Sequence, residues 1–148
     1  MAHVELSILE YLGGKKLLGI RHCARPLAFH ELVSAGLPAA SLMQFKQRLG
    51  LTNAVVSLVV GISEKTLIRW RDAPRKLMDP VASDRLYRAA KLMALAREVF
   101  EDDAEARGWM GEAQMGLGNR IPLELLTTDA GARQVEELLL RMEHGYLA

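Results

Sequence analysis

Residues 53–70 read NAVVSLVVGISEKTLIRW, and the fold follows from how the small, apolar and charged positions in this stretch are spaced. Thr52 or Asn53 can cap a helix that runs to about residue 60, because a short side-chain oxygen there accepts a bond from the free amides of the first turn. Gly61 supplies a turn residue without Cβ strain, and Ser63 can cap a second helix, SEKTLIRWR. Ser57 is small where two helices would cross, and Leu67 and Trp70 both point inward from the second helix. A tight turn and a steep crossing are what a DNA-reading helix-turn-helix needs, since the N-terminal turn of its second helix must reach base edges in the major groove.

The other face of that second helix carries Glu64, Lys65, Thr66, Ile68 and Arg69. Lys65 and Arg69 suit phosphates or guanine edges, Thr66 a base or a thymine methyl, and Glu64 a cytosine amino group or the rejection of phosphate. Ser63 and Arg71, at its two ends, complete the candidate DNA-contact set. Arg75, Lys76, Arg85, Arg88 and Lys91 follow, and are expected to hold the phosphate backbone, which gives salt-dependent affinity without sequence choice. The first helix is unusually apolar, with Val55, Val56, Val59 and Val60 beside Leu58. These valines face either a dimer partner, as two-fold reading of half-sites would require, or the chain's own core.

Working outward, Pro38 suits a helix opening, and Leu42, Phe45 and Leu49 keep helical spacing until Gly50. Downstream, Asp79-Pro80 marks a turn, and a longer helix from Ser83 puts Leu86, Ala89, Ala90, Met93, Ala96 and Phe100 on one stripe. The acidic segment EDDAEAR is the expected boundary. Beyond it come a short helix over 109–115, another opened by Pro122, and a last one capped by Thr128 or Asp129. That last helix has the stripe Val135, Leu138, Leu139 and Met142, and Gly145 ends it. The first 36 residues hold an apolar stretch over 4–12, a Gly13-Gly14 break, a basic Lys15-Lys16 pair and Pro26 before LAFHELVSAG. One or two helices are expected there, with room for a short extended piece. Strand and hairpin signals are scarce. The expected fold is all-α: an N-terminal extension over 1–39, a Cro/repressor-like helix-turn-helix region over 40–100, and a small helical module over 101–148.

Charge divides along the same line. Residues 1–100 hold 15 Lys and Arg against 8 Asp and Glu, a net +7, whereas residues 101–148 hold 4 against 10, a net −6. A basic portion attracts polyanions and an acidic one is repelled by them, so two partners of different chemistry are expected. The sequence has no run of eighteen apolar residues, and Glu5 and Glu10 sit where a signal peptide would be basic and then apolar; a soluble, cytoplasmic protein is expected. A single cysteine, Cys23, read as a lone buried thiol, fits a reducing compartment. Catalysis, metals and cofactors are not expected. His3, His22, His30 and His144 are dispersed, and there is no GxxxxGKS/T loop or GxSxG elbow. Glu143 and His144 are adjacent, so they point apart on a helix.

Several longer strings give the sequence a resemblance to a known family: GLP at 36–38, LGLT at 49–52, GISEKTLIRW at 61–70, LGNRIPLELLTTDAGARQVEELL at 117–139 and the closing MEHGYLA. The chain resembles the Xre/MbcA/ParS-like antitoxins, whose partners are toxins of the RES-domain class. In the C-terminal module the positions that look like the family pattern are mostly glycines, Pro122 and core apolars such as Val135 and Leu139. The resemblance implies a tight complex with an NAD-consuming toxin, a shielded NAD pocket, and binding of the complex to operator DNA. An acidic module is a sensible cover for such a pocket, because pockets for dinucleotide phosphates display cationic donors. Glu136, Glu137, Leu140, Arg141, Glu143, His144, Tyr146, Leu147 and Ala148 are the candidate toxin contacts, with Tyr146 and Leu147 as anchors. Either residues 141–148 enter or cap the toxin's cleft, or the helix face over 133–142 makes the contacts, or a helix-turn-helix surface contributes as well. A plain regulator whose C-terminal module only oligomerises, and an adaptor with no DNA target, are the rival readings.

Overall fold

The computed structural model of the chain describes residues 2–20 and 27–145, and among them there is no strand. In chain order the helices are α1 (Ala2–Tyr11), α2 (Lys15–Leu18), α3 (Ala28–Ala35), α4 (Ala39–Leu49), α5 (Asn53–Val60), α6 (Glu64–Arg71), α7 (Pro80–Phe100), α8 (Asp103–Gly111), α9 (Pro122–Leu125) and α10 (Asp129–Glu143). A 3₁₀ turn, Met115–Leu117, lies between α8 and α9. The all-α expectation holds. The N-terminal region contains three helices instead of one or two, and Cys23, His22 and Pro26 lie outside the described residues.

Short oxygens fix where helices start. Thr52 Oγ1 accepts from Val55 N (3.2 Å), Ser63 Oγ from Thr66 N (3.0 Å) and Thr128 Oγ1 from Gly131 N (2.9 Å). Each satisfies an amide that has no partner within its own helix. The long helix begins at Pro80, three residues before the expected Ser83. Asp79 Oδ1 caps Ala82 N at 2.8 Å, and Pro80 occupies a first-turn position where its missing N–H costs nothing. Ser83 is buried instead, accepting from Leu37 N at 2.8 Å. EDDAEAR holds a helix break: Glu101 ends the long helix with a positive φ of 54°, Asp102 caps Glu105 N at 2.9 Å, and the helix expected over 109–115 starts earlier, at Asp103.

Helix α7 sits at the centre of the core and packs against α1, α3, α5, α8 and α10. Leu86, Ala89, Ala90, Leu92, Met93, Ala94 and Ala96 are all buried. They fall on several sides of the helix, and the alanines let neighbours approach closely. One apolar cluster runs from Leu9 and Leu12 of α1 through Phe45, Leu67 and Trp70 to Met110, Val135 and Leu139, so the three expected regions share a single core.

The valines of α5 belong to that core. Val56, Val59 and Val60 are each 1% exposed and Val55 is half-buried against them. Of the two expected roles, Val56, Val59 and Val60 take the internal one and are not available as a dimer face. The outward apolar residue of α5 is Leu58, 53% exposed.

A polar network ties α1 to the rest. Tyr11 Oη donates to Asp103 Oδ1 at 2.5 Å, and the Arg48 guanidinium lies 5.1 Å from the centre of the Tyr11 ring. Glu10 accepts from Arg97 at 3.0 Å and pairs with Arg48 at 3.4 Å. Arg107 pairs with Asp103 (3.6 Å) and donates to the Arg48 carbonyl (3.2 Å). Burial, and then the bond to Asp103, hold the Tyr11 phenol in its neutral form well above the ordinary tyrosine range.

Replacing Tyr11 by Phe removes a bond to a carboxylate and should lower unfolding stability by about 1–3 kcal/mol, read as the shift of a urea midpoint. A phenol whose folded pKa is raised supports stability below its unfolded value of about 10, and that support is lost as pH rises through the folded value. The wild-type midpoint should therefore fall above about pH 10, and the Y11F midpoint should fall less.

Candidate functional site

Helices α4, α5 and α6 form the helix-turn-helix, α6 resting on both of the others. Gly61 adopts a left-handed conformation (φ 78°) and closes α5 by donating to the Ser57 carbonyl at 2.8 Å. Leu67 and Trp70 are buried and Ser57 lies in the crossing, as its size requires. Glu64, Lys65, Ile68 and Arg69 are exposed, and Thr66 is half-buried. The Ser63 hydroxyl is occupied as the cap of α6 and also donates to Thr66 Oγ1 at 3.0 Å. Arg71 is exposed beside Asp72, 3.5 Å away. Ile68, 45% exposed in a helix otherwise polar on this side, adds an apolar contact of the kind a thymine methyl accepts.

Three of the cations expected along the phosphate backbone have other partners. The Arg85 guanidinium fills the space that a Cβ at Gly61 would need, and lies 3.5 Å from the Val60 carbonyl. Arg88 donates to the Leu126 carbonyl at 2.8 Å, and Lys91 pairs with Glu136 at 3.5 Å. Arg88 and Lys91 thus tie α7 to the C-terminal helices. Arg75 and Lys76 remain exposed.

Those ties line a cleft between α7 and α10. Its walls include Tyr87, Arg88 and Lys91 from α7, and Arg133, Glu136 and Leu140 from α10. Asp84, Tyr87, Arg88 and Lys91 follow the i, i+3, i+4, i+7 spacing of one helix face, a polar signal in the sequence that runs beside the apolar stripe. Tyr87 also packs against Phe29 of α3 in a tilted pair, ring centres 5.1 Å apart, and burial raises its phenol pKa. Of the candidate toxin contacts, Glu136 and Leu140 are half-buried here, Glu137 pairs with Arg141 at 3.6 Å, and Glu143 and His144 are exposed at the helix end. Tyr146, Leu147 and Ala148 lie outside the described residues.

Among the described residues, no group of three or more His, Cys, Asp or Glu side chains could hold a metal ion, and no helix is long and apolar enough to cross a membrane.

Comparison with known proteins matches both halves. Residues 28–91 match the Antitoxin Xre-like helix-turn-helix domain, and residues 95–145 match the Antitoxin Xre/MbcA/ParS C-terminal toxin-binding domain. A helix-turn-helix joined through α7 to such a module defines the class: the antitoxin of a toxin–antitoxin system, a protein that neutralises and does not catalyse. An Antitoxin Xre of Pseudomonas putida is 30% identical over 88% of this chain and 80% of its own length. One from Yersinia enterocolitica is 34% identical over 64% of each. Among solved structures, the M. tuberculosis MbcT–MbcA toxin–antitoxin complex contains a chain that matches with a TM-score of 0.55 at 26% identity, over 74% of this chain and 96% of that one. The chain belongs to the Xre/MbcA/ParS antitoxin family. Helices α1 and α2 precede both matched segments.

The toxin-binding module depends on one close approach. A Cβ at Gly131, in the first turn of α10, would collide with the Leu125 carbonyl of α9. Because the obstacle is backbone, Gly131→Ala should destabilise the module by about 1–3 kcal/mol. Gly61→Ala displaces only the mobile end of Arg85, but is strained by its positive φ by about 1–2 kcal/mol. Thermal melts should show both losses, and only G131A should also weaken toxin binding in a pull-down at a temperature where both variants remain folded.

Proposed function

We propose that this antitoxin neutralises a RES-domain toxin that consumes NAD, covering the toxin's dinucleotide pocket with the last turns of α10 and the residues that follow. The complex then represses its own operon through α6. The observation that carries this reading is the match of residues 95–145 to a toxin-binding domain whose last helix ends in the exposed residues Glu137, Arg141 and Glu143, with His144 after them. Glu137, Glu143 and His144 are open to a partner, while Leu140 lies at the edge of the cleft. Carboxylates placed this way complement the cationic donors of a phosphate-binding pocket. The MbcA chain was solved in complex with its toxin, which supports the same use of the module here.

On DNA, Lys65, Thr66, Arg69 and Glu64 read base edges and Arg71 the backbone, with Ser63 acting chiefly through the cap that holds α6 in place. Two copies reading a pseudo-palindromic operator is the geometry this motif usually serves. The buried valines take no part in pairing them. The site of action is the cytoplasm, where NAD and the operon are both found.

Intracellular NAD tests the toxin half. Expression of the neighbouring gene product alone should collapse NAD, and co-expression of this chain should restore it. If NAD is unmoved, the module serves oligomerisation and the chain is a plain regulator. Deleting residues 145–148 should weaken restoration, and full restoration by the truncated chain would assign the contacts to the helix face over 133–142. Lys65→Ala with Arg69→Ala should abolish the operator shift in a gel while leaving growth rescue intact.

A further inference from the structure

Ion pairing sorts the cations of this chain. Among the described residues, Lys15, Lys16, Lys65, Arg69, Arg75 and Lys76 have no ion pair and no side-chain hydrogen bond, and Lys46 is in the same state. From Arg85 to the end of α10 the pattern reverses: Arg120 apart, every Lys and Arg has a carboxylate or carbonyl partner. A cation paired within its own chain is largely neutralised. An unpaired one keeps its charge for an external polyanion.

Two of the unpaired cations, Lys15 and Lys16, are neighbours on α2, before the helix-turn-helix, yet the fold brings Lys16 to it. Lys16 of α2 and Arg75 of the segment after α6 line the same cleft, beside Pro38 and Ala40 at the start of α4, and no acidic side chain lines it among the described residues. Both walls are fastened. The 74–76 segment accepts bonds from the first amides of α4, Ala40 N to the Pro74 carbonyl (3.0 Å) and Ala39 N to the Lys76 carbonyl (2.8 Å). Helix α2 is anchored by buried Leu18, and Leu17 packs against Gly13. The lysines are therefore presented on a held element, which lowers the ordering cost of a contact.

We infer that Lys15 and Lys16, with Arg75 and Lys76, form a second phosphate-contact patch that extends the DNA surface of the helix-turn-helix onto the N-terminal helices. This rests on the DNA-binding reading of α6. Unpaired cations recur on α2, on α6 and on the segment after it, and Lys16 and Arg75 share one cleft that is otherwise apolar; that recurrence favours a nucleic-acid backbone over an acidic protein surface. The patch contributes affinity and no sequence choice, because it carries only charge.

The test is fluorescence anisotropy on an operator duplex and a scrambled duplex across a salt series. Wild type, K15A/K16A, K15R/K16R and K65A/R69A would each be measured alone and co-purified with the toxin. For K15A/K16A, affinity should fall on the order of tenfold on both duplexes, and the slope of log K against log salt should lose about 0.9 per lost phosphate contact. K15R/K16R should keep the wild-type slope. K65A/R69A should lose preference for the operator. An unchanged slope in K15A/K16A overturns the patch while leaving α6 as the DNA surface. Wild type that binds neither duplex, alone or with toxin, overturns the DNA reading and the patch with it. Retained DNA affinity with lost toxin binding would make the patch a protein-docking surface and so overturn it as well. Both lysines are exposed, so equal thermal midpoints for all variants are expected.

Discussion

Burial of α7 on several sides is the constraint from which the rest of the architecture follows. Leu86, Ala89, Ala90, Leu92 and Met93 are removed from water by helices from both halves of the chain, and each buried Leu or Met contributes roughly 1.5–3 kcal/mol. Neither half can hide this helix alone. Helix α5 of the helix-turn-helix and α10 of the toxin-binding module rest on the same 21-residue rod. Arg88 and Lys91 then add directional bonds from that rod to Leu126 and Glu136, and α1 closes the assembly through Tyr11 and Glu10. Both halves therefore rest on one core and on one shared helix.

The distribution of charge completes the division of labour. Arginines and lysines of α7, α8 and α10 are spent on internal pairs, so the C-terminal half presents an acidic surface. Lys15 and Lys16 of α2, Lys65 and Arg69 of α6, and Arg75 and Lys76 of the segment after it stay unpaired, while Arg71 pairs with Asp72. The same side-chain types serve as internal ties in one half and keep their charge unpaired in the other. What distinguishes them is whether a carboxylate or carbonyl is within reach.

Much of this was legible in the sequence because it rests on local chemistry. Thr52, Ser63 and Thr128 are short oxygens ahead of apolar periodicity, Gly61 sits at a position needing positive φ, and Leu67 with Trp70 fixes the inward face of α6. The misreadings concern partners distant in sequence. Nothing near Arg88 or Lys91 reveals that Leu126 and Glu136 lie against them, so both read as phosphate contacts. The α5 valines left a dimer face and a core face equally open until α7 was seen to cover them. Asp79-Pro80 was read as a turn alone, although the same pair caps and opens a helix. Helix α1 was obscure because its hydrophobic face is completed by α4 and α7, far along the chain.

The account stands on toxin and DNA engaging different surfaces of a shared core. Hydrogen exchange of the chain, free and bound to its toxin, reads this most directly. Amides of α10 and of the facing part of α7 should gain protection on toxin binding, while those at the start of α6 exchange as in the free chain. Protection concentrated at α6, with α10 unchanged, would contradict it.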